Sequence, residues 1–149
     1  MASRKRALII GLGKLSPEVK QQMEKFVAPE RLEYLRGLTP QQMQEALATE
    51  KIGLEREGIY LEDLFLEGDI DPASLQKSGD MVRQHLKKEK YDVVLIGAGI
   101  RGPPSNFPLF EVLMNIMHFH APEAKIAFNT YPLDTADAIR RVLTTAYTE

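Results

Sequence analysis

At 149 residues the chain has the length of one domain, enough to bury a core without disulfides or a structural metal. Hydrophobic residues at 44% and charged residues at 27% are globular proportions, which exclude wholesale disorder. Nineteen basic against twenty-one acidic residues leave a net charge of −2, which indicates neither a nucleic-acid nor a membrane partner, and the absence of cysteine excludes thiolate catalysis and Cys-based zinc sites.

The start, Met1-Ala2-Ser3-Arg4-Lys5-Arg6, is basic, but the apolar run behind it, Ala7 to Ile10, stops at Gly11. That is shorter than the apolar region of about 7–15 residues in a signal peptide, and no run approaches a membrane span. Without such segments the expected address is the cytoplasm. No repeat or low-complexity tract divides the chain, so residues 1–149 are expected to form a single α/β domain.

Strand and helix patterns take turns along it. Ala7 to Ile10 reads as a strand buried on both faces. Ser16-Pro17 reads as a helix cap and first helical position, because proline lacks an N–H that the first turn could not use. Val19, Met23, Phe26 and Val27 follow at helical spacing, and Leu32 to Leu35 is expected to be a second, more exposed strand. Thr39-Pro40 opens a helix with Gln42 completing a capping box; Met43, Leu47 and Leu54 form its inner face and Gly58 ends it. Tyr60 to Leu66 is the third strand, interrupted in character by Glu62-Asp63.

Asp71-Pro72 caps the next helix, with Leu75, Val82 and Leu86 on one face together with Gly79. Tyr91-Asp92 leads into Val93 to Ile96, the clearest buried strand. A helix from Leu109 to Phe119, a strand from Lys125 to Phe128, and a last helix from about Asp134 that buries Ala136, Ile139, Val142, Leu143 and Ala146 complete the chain. Five strand–helix units in series predict a five-stranded parallel sheet with helices on both faces, in the order 2-1-3-4-5. The first and fourth strands, the most apolar, belong at its centre.

In such folds ligands bind beyond the carboxyl ends of the strands, near the switch in strand order, where helix N-termini favour anions. The candidate loops are Gly11 to Ser16, Arg36-Gly37, Glu67 to Asp69, Gly97 to Asn106, and Asn129-Thr130-Tyr131. Gly11-Leu12-Gly13-Lys14-Leu15-Ser16 is GxGxxS, one residue short of a dinucleotide fingerprint. Arg36, where an acidic residue would hold a ribose hydroxyl, suits the 2′-phosphate of NADP.

Gly97-Ala98-Gly99-Ile100-Arg101-Gly102 is a full GxGxxG, but Pro103-Pro104 predicts an extended stretch before any helix. Arg101 and Asn106 are then expected to stand over the sheet edge. The ligand-binding candidates are therefore Gly11, Gly13, Lys14, Ser16, Arg36, Gly97, Gly99, Arg101, Asn106, Asn129 and Thr130. No nucleophile–base pair is legible, so no catalytic residue is assigned.

In the helix from Leu109 to Phe119, Glu111, Asn115 and His118 share a polar stripe opposite Leu109, Leu113, Ile116 and Met117. Val112, Met114 and Phe119 are apolar beyond the core stripe, which points to a homo-oligomer contact. His118 and His120 point about 200° apart on a helix and cannot share an ion; no metal is expected.

The strand–helix series resembles the flavodoxin-like class, which includes receiver domains and flavodoxins, over nearly the whole chain. That resemblance implies a fold. A receiver's acidic pair is replaced here by Gly11-Leu12-Gly13 and its lysine by Asn129, and a flavodoxin's Ser/Thr-rich phosphate loop has only Ser16 as a counterpart. The function expected from these readings is a soluble protein that handles a small anionic or phosphorylated molecule at the carboxyl edge of the sheet. The alternatives are a receiver-like interaction module and an NADP-dependent reductase.

Overall fold

The computed structural model describes residues 4–148; residues 1–3 of the basic start and residue 149 lie outside the described part. It has four strands in one parallel sheet, ordered β2-β1-β3-β4: β1 Lys5–Leu12, β2 Ile59–Leu66, β3 Val93–Ile96 and β4 Lys125–Phe128. The five-stranded expectation is thereby corrected. Leu32 to Leu35 does not join the sheet; it lies in helix α2, Leu32–Arg36, behind a 3-10 turn at Pro29–Arg31. The strand next to β1 on that side is β2, which runs alongside all eight residues of β1 from Lys5↔Ile59 to Leu12↔Leu66.

Both central strands are the apolar ones. Ala7 to Ile10 and Val93 to Ile96 are buried throughout, as strands covered on both faces must be. Alternation sends Leu8, Ile10 and Leu12 to one face, where α4 (Pro72–Lys88) and α6 (Phe107–His120) supply Val82, Leu86, Leu109 and Leu113. Ala7 and Ile9 face the other side, toward Leu47 and Leu54 of α3 (Pro40–Arg56) and Ile139 and Val142 of α7 (Thr135–Thr144). The result is a three-layer sandwich.

The helix starts follow the local chemistry. Ser16 Oγ accepts from Val19 N at 3.1 Å at the head of α1 (Pro17–Met23), and Asp71 Oδ1 accepts from Ser74 N at 3.0 Å at the head of α4. At the head of α3 the capping box closes both ways: Gln42 N donates to Thr39 Oγ1 at 3.1 Å and Thr39 N to Gln42 Oε1 at 3.0 Å. Gly58, with φ of +80°, ends the turn behind α3. The last helix stops at Thr144, so Ala146 is exposed beyond it rather than buried in it.

Glu62 does not interrupt β2. Its carboxylate receives Arg6 Nη1 at 2.7 Å and the Tyr91 hydroxyl at 2.5 Å, which provides partners for a charge carried on the sheet. Gly79 is needed where α4 meets α6: a Cβ there would stand 2.8 Å from Ile116 Cδ1 and 3.4 Å from Val112 Cγ1. Val112 is thus occupied within the fold.

The switch in strand order falls between β1 and β3. The connection leaving β1 crosses to β2 on the α3 face, and that leaving β3 crosses to β4 on the α6 face. The two chains part at Gly11 and Gly97, where Gly97 N donates to Ile10 O at 2.8 Å. A Cβ on Gly97 would come within 3.4 Å of that oxygen and 3.5 Å of Gly11 Cα. The long β1–β2 connection, α1 through α3, closes over this crevice.

Candidate functional site

A narrow cleft opens at the β1–β3 crevice, with a cavity volume of about 70 Å³. Its floor is Ile9 and Gly11 of β1, Phe65 of β2 and the Gly97-Ala98-Gly99 turn. Its roof is apolar: Leu15, Met23 and Val27 around α1, Leu35 and Leu38 around α2, Met43 and Leu47 of α3. Asn129 to Pro132, after β4, close one side. This is the crevice at which open α/β sheets bind ligands.

The polar groups of the cleft gather on one rim. Arg31 Nη1 donates to Thr130 Oγ1 at 2.7 Å and lies 3.7 Å from Asp134 Oδ2. Its guanidinium stacks over the Tyr131 ring, 3.9 Å from the centroid. Tyr34 meets the same ring edge-on, with centroids 5.7 Å apart and planes at 87°. Burial, and to a smaller extent Tyr131, raise the Tyr34 phenol above its ordinary pKa. Asp134 in turn accepts from Thr130 N at 2.9 Å and from the Thr130 hydroxyl.

The candidates read from sequence divide into two groups. Gly11, Gly97, Gly99, Asn129 and Thr130 line the cleft. Gly13, Lys14, Ser16, Arg36, Arg101 and Asn106 do not, and most of these have other partners. Gly13 N donates to Leu66 O at 3.0 Å, Ser16 caps α1, Lys14 is exposed, and Arg36 pairs with Glu24 at 2.6 Å. Asn106 is buried and donates to Gly99 O at 2.8 Å. Arg101 turns toward β4: Nη2 donates to Asn129 O at 3.0 Å, the guanidinium lies 5.6 Å from the Phe128 centroid, and Nε is buried without a partner.

The extended stretch expected after Gly97 is also corrected. A four-residue helix, α5 (Ala98–Arg101), follows Gly97 at once and ends before Pro103, so the prolines lie beyond it. Its first N–H is taken, because Ala98 N donates to Asn129 Oδ1 at 2.9 Å. The glycines serve packing: a Cβ on Gly99 would be 2.9 Å from Leu15 Cδ2, and one on Gly102 would be 2.0 Å from Phe26 Cζ. The surface that a pyrophosphate would approach in a dinucleotide turn is covered by the chain's own roof.

Sequence reasoning missed Arg31 and Tyr34, because both flank or occupy the segment read as a strand. The signal was Ala28-Pro29, a proline in a helix-opening position, with Leu32, Leu35 and Leu38 spaced three apart behind it. Among the described residues no three of His, Asp or Glu gather as metal ligands, and no helix is long and apolar enough to cross a membrane. No family model matches the chain, and no curated protein matches it.

Proposed function

We propose that the chain binds a small molecule in the cleft over β1 and β3, with the apolar body of the ligand inside and a polar or anionic end at the Arg31 rim. The observation that carries this reading is the cleft's make-up. Apolar side chains from the strand ends and from the α1–α3 connection wall a space at the strand-order switch, and the Arg31 guanidinium stands at its mouth. No nucleophile–base pair lines the cleft among the described residues, so binding is the activity proposed.

Thermal-shift screening of small acids, amides and alcohols tests it on wild type and Gly11→Val. A Cβ on Gly11 would meet only Phe65, at an ordinary contact distance of 3.8 Å, so the backbone there admits a side chain in the cleft floor. The reading requires ligands that raise the melting temperature of wild type and lose that effect in Gly11→Val. Equal shifts in both proteins, or no shift from any compound, would count against it.

A second reading, self-association through α6, has support from Phe107 and Phe119, which are 61% and 76% exposed. Met114 is half-buried, and Val112 packs against Gly79, so the face is narrower than the sequence implied. Sedimentation of wild type and Phe119→Ser at micromolar concentration separates the outcomes: a dimer that Phe119→Ser dissociates supports it, and a monomer in both ends it.

A further inference from the structure

We infer that the ligand of this cleft is a monocarboxylate with an apolar body, its carboxylate held by Arg31; this rests on the cleft being the ligand site. Arg31 lines the cleft, and its side chain is 35% exposed. Only Nη1 is engaged by protein, through Thr130 and Asp134. The Nε and Nη2 edge, which carries the donor pair that a carboxylate accepts in parallel, makes no hydrogen bond to protein among the described residues. Contact with the Tyr131 ring, itself braced by Tyr34, holds the guanidinium in place at the rim. A planar two-oxygen acceptor matches the planar fork that this edge presents.

Charge decides between a carboxylate and a phosphate. Asp134, 3.7 Å from Arg31, already offsets part of the only cation on the rim among the described residues. A dianionic phosphate would place its second charge beside Asp134 with nothing to meet it. Arg101 is turned to Asn129, Arg36 is paired with Glu24, and Lys14 does not line the cleft. Of the N–H groups at the helix starts, Ala98 N in α5 is bonded to Asn129 and Val19 N in α1 to Ser16. Charge left unpaired against apolar walls is costly, so the site accommodates one negative charge and not two. Behind that charge, Leu35, Leu38, Met43, Leu47 and Phe65 offer only apolar surface, with methionine able to adapt its shape to the ligand.

The test compares octanoate, octanamide and octyl phosphate, at pH 8 where the phosphate monoester is dianionic. Amide and arginine Nε resonances of the isotopically labelled protein report both affinity and place. The expected result is octanoate binding that shifts Arg31 Nε and the Thr130 amide, about tenfold or more tighter than either analogue. Arg31→Met should bring octanoate down to the affinity of octanamide; the wild-type series decides even if that variant fails to fold. Octanamide or octyl phosphate binding as tightly as octanoate would overturn the inference, as would octanoate shifts lying outside the cleft. Octanamide binding in the cleft with octanoate weaker would remove the carboxylate and leave the cleft as a ligand site. If none of the three perturbs cleft resonances, both readings fail.

Discussion

Phe26 lies directly on Gly102: a Cβ built there would stand 2.0 Å from Cζ of the ring and 2.6 Å from Cε1. Together with Leu15 on Gly99, this seats the roof of the cleft on bare backbone. Gln22 adds a polar tie, its Oε1 accepting from Ser105 N and Oγ, both at 3.1 Å. The roof therefore rests on a few specific contacts with the βα loops, beside a small apolar cluster of Val19, Met23, Leu35 and Ala98.

Gly102→Ala should unseat the roof without unfolding the domain. Phe26 is 43% exposed, so its ring can swing outward, and Gly102 has helical dihedrals that alanine adopts readily. Global stability is expected to change by less than about 1 kcal/mol, because the smaller conformational entropy of alanine in the unfolded chain offsets part of the lost contact. Amide exchange across Val19 to Val27 should nevertheless quicken. Unchanged protection there would show that the Phe26–Gly102 contact does not hold the roof.

Gly79→Ala should behave differently. The added methyl would lie 2.8 Å from Cδ1 of Ile116, a buried residue packed where α4 meets α6. Overpacking of this kind costs about 1–3 kcal/mol, more than the propensity gain of alanine over glycine in mid-helix. Urea denaturation gives the sign: a lowered midpoint is expected, and a raised one would mean that α4 and α6 separate freely.

Asn129 joins the two loops on either side of the cleft floor. It is 5% exposed, its Oδ1 accepts from Ala98 N at 2.9 Å, and its Nδ2 donates to Thr135 Oγ1 at 3.1 Å. Asn129→Ala leaves the Ala98 donor without its buried partner and should cost about 1–3 kcal/mol. Asn129→Asp keeps the acceptor for Ala98 but loses the donor to Thr135. Melting temperatures should therefore rank wild type above Asn129→Ala; equal values would show that water replaces the amide at no cost.

The Glu62 cluster should make stability depend on pH. Burial alone would raise the Glu62 carboxyl, but the hydrogen bonds from Tyr91 and Arg6 together hold it below its ordinary value. A carboxyl depressed in the folded state stabilises above its unfolded pKa, and that contribution is lost as pH falls through the folded value. The melting temperature of wild type should thus drop below about pH 4.3, the ordinary range for glutamate, and Glu62→Gln should show a shallower drop. Tyr91 acts at the other end: burial first, then Glu62, raise its phenol, so stability should fall above about pH 10, where the unfolded phenol ionises. Parallel pH profiles for wild type, Glu62→Gln and Tyr91→Phe would contradict both assignments.

Much of the sandwich was legible because its signals are local. Ser16-Pro17, Thr39-Pro40 with Gln42, and Asp71-Pro72 each mark a helix start through hydrogen bonds made within three residues. Val93 to Ile96 and Ala7 to Ile10 declare central strands by being apolar at every position. Leu32 to Leu35 taken by itself, four residues with two charged neighbours, fits either period, and the helix signal lies outside it, in Pro29 and Leu38. What excludes it from the sheet is distant: β2 occupies the open edge of β1 along its whole length. The roles of the arginines were hidden for a similar reason. A sequence places Arg101 at a strand's carboxyl end, but only the fold turns it to Asn129 and brings Arg31, ninety-nine residues from its partner Thr130, to the rim.

The most direct test of ligand binding in the cleft is a crystal structure of the protein with a compound that stabilises it. The compound is expected between Phe65 and the roof residues Leu35 and Met43, over Gly11 and Gly97, with its polar end against Arg31. A compound seated on α6 or in any other hollow, with the cleft closed by its own side chains, would contradict it.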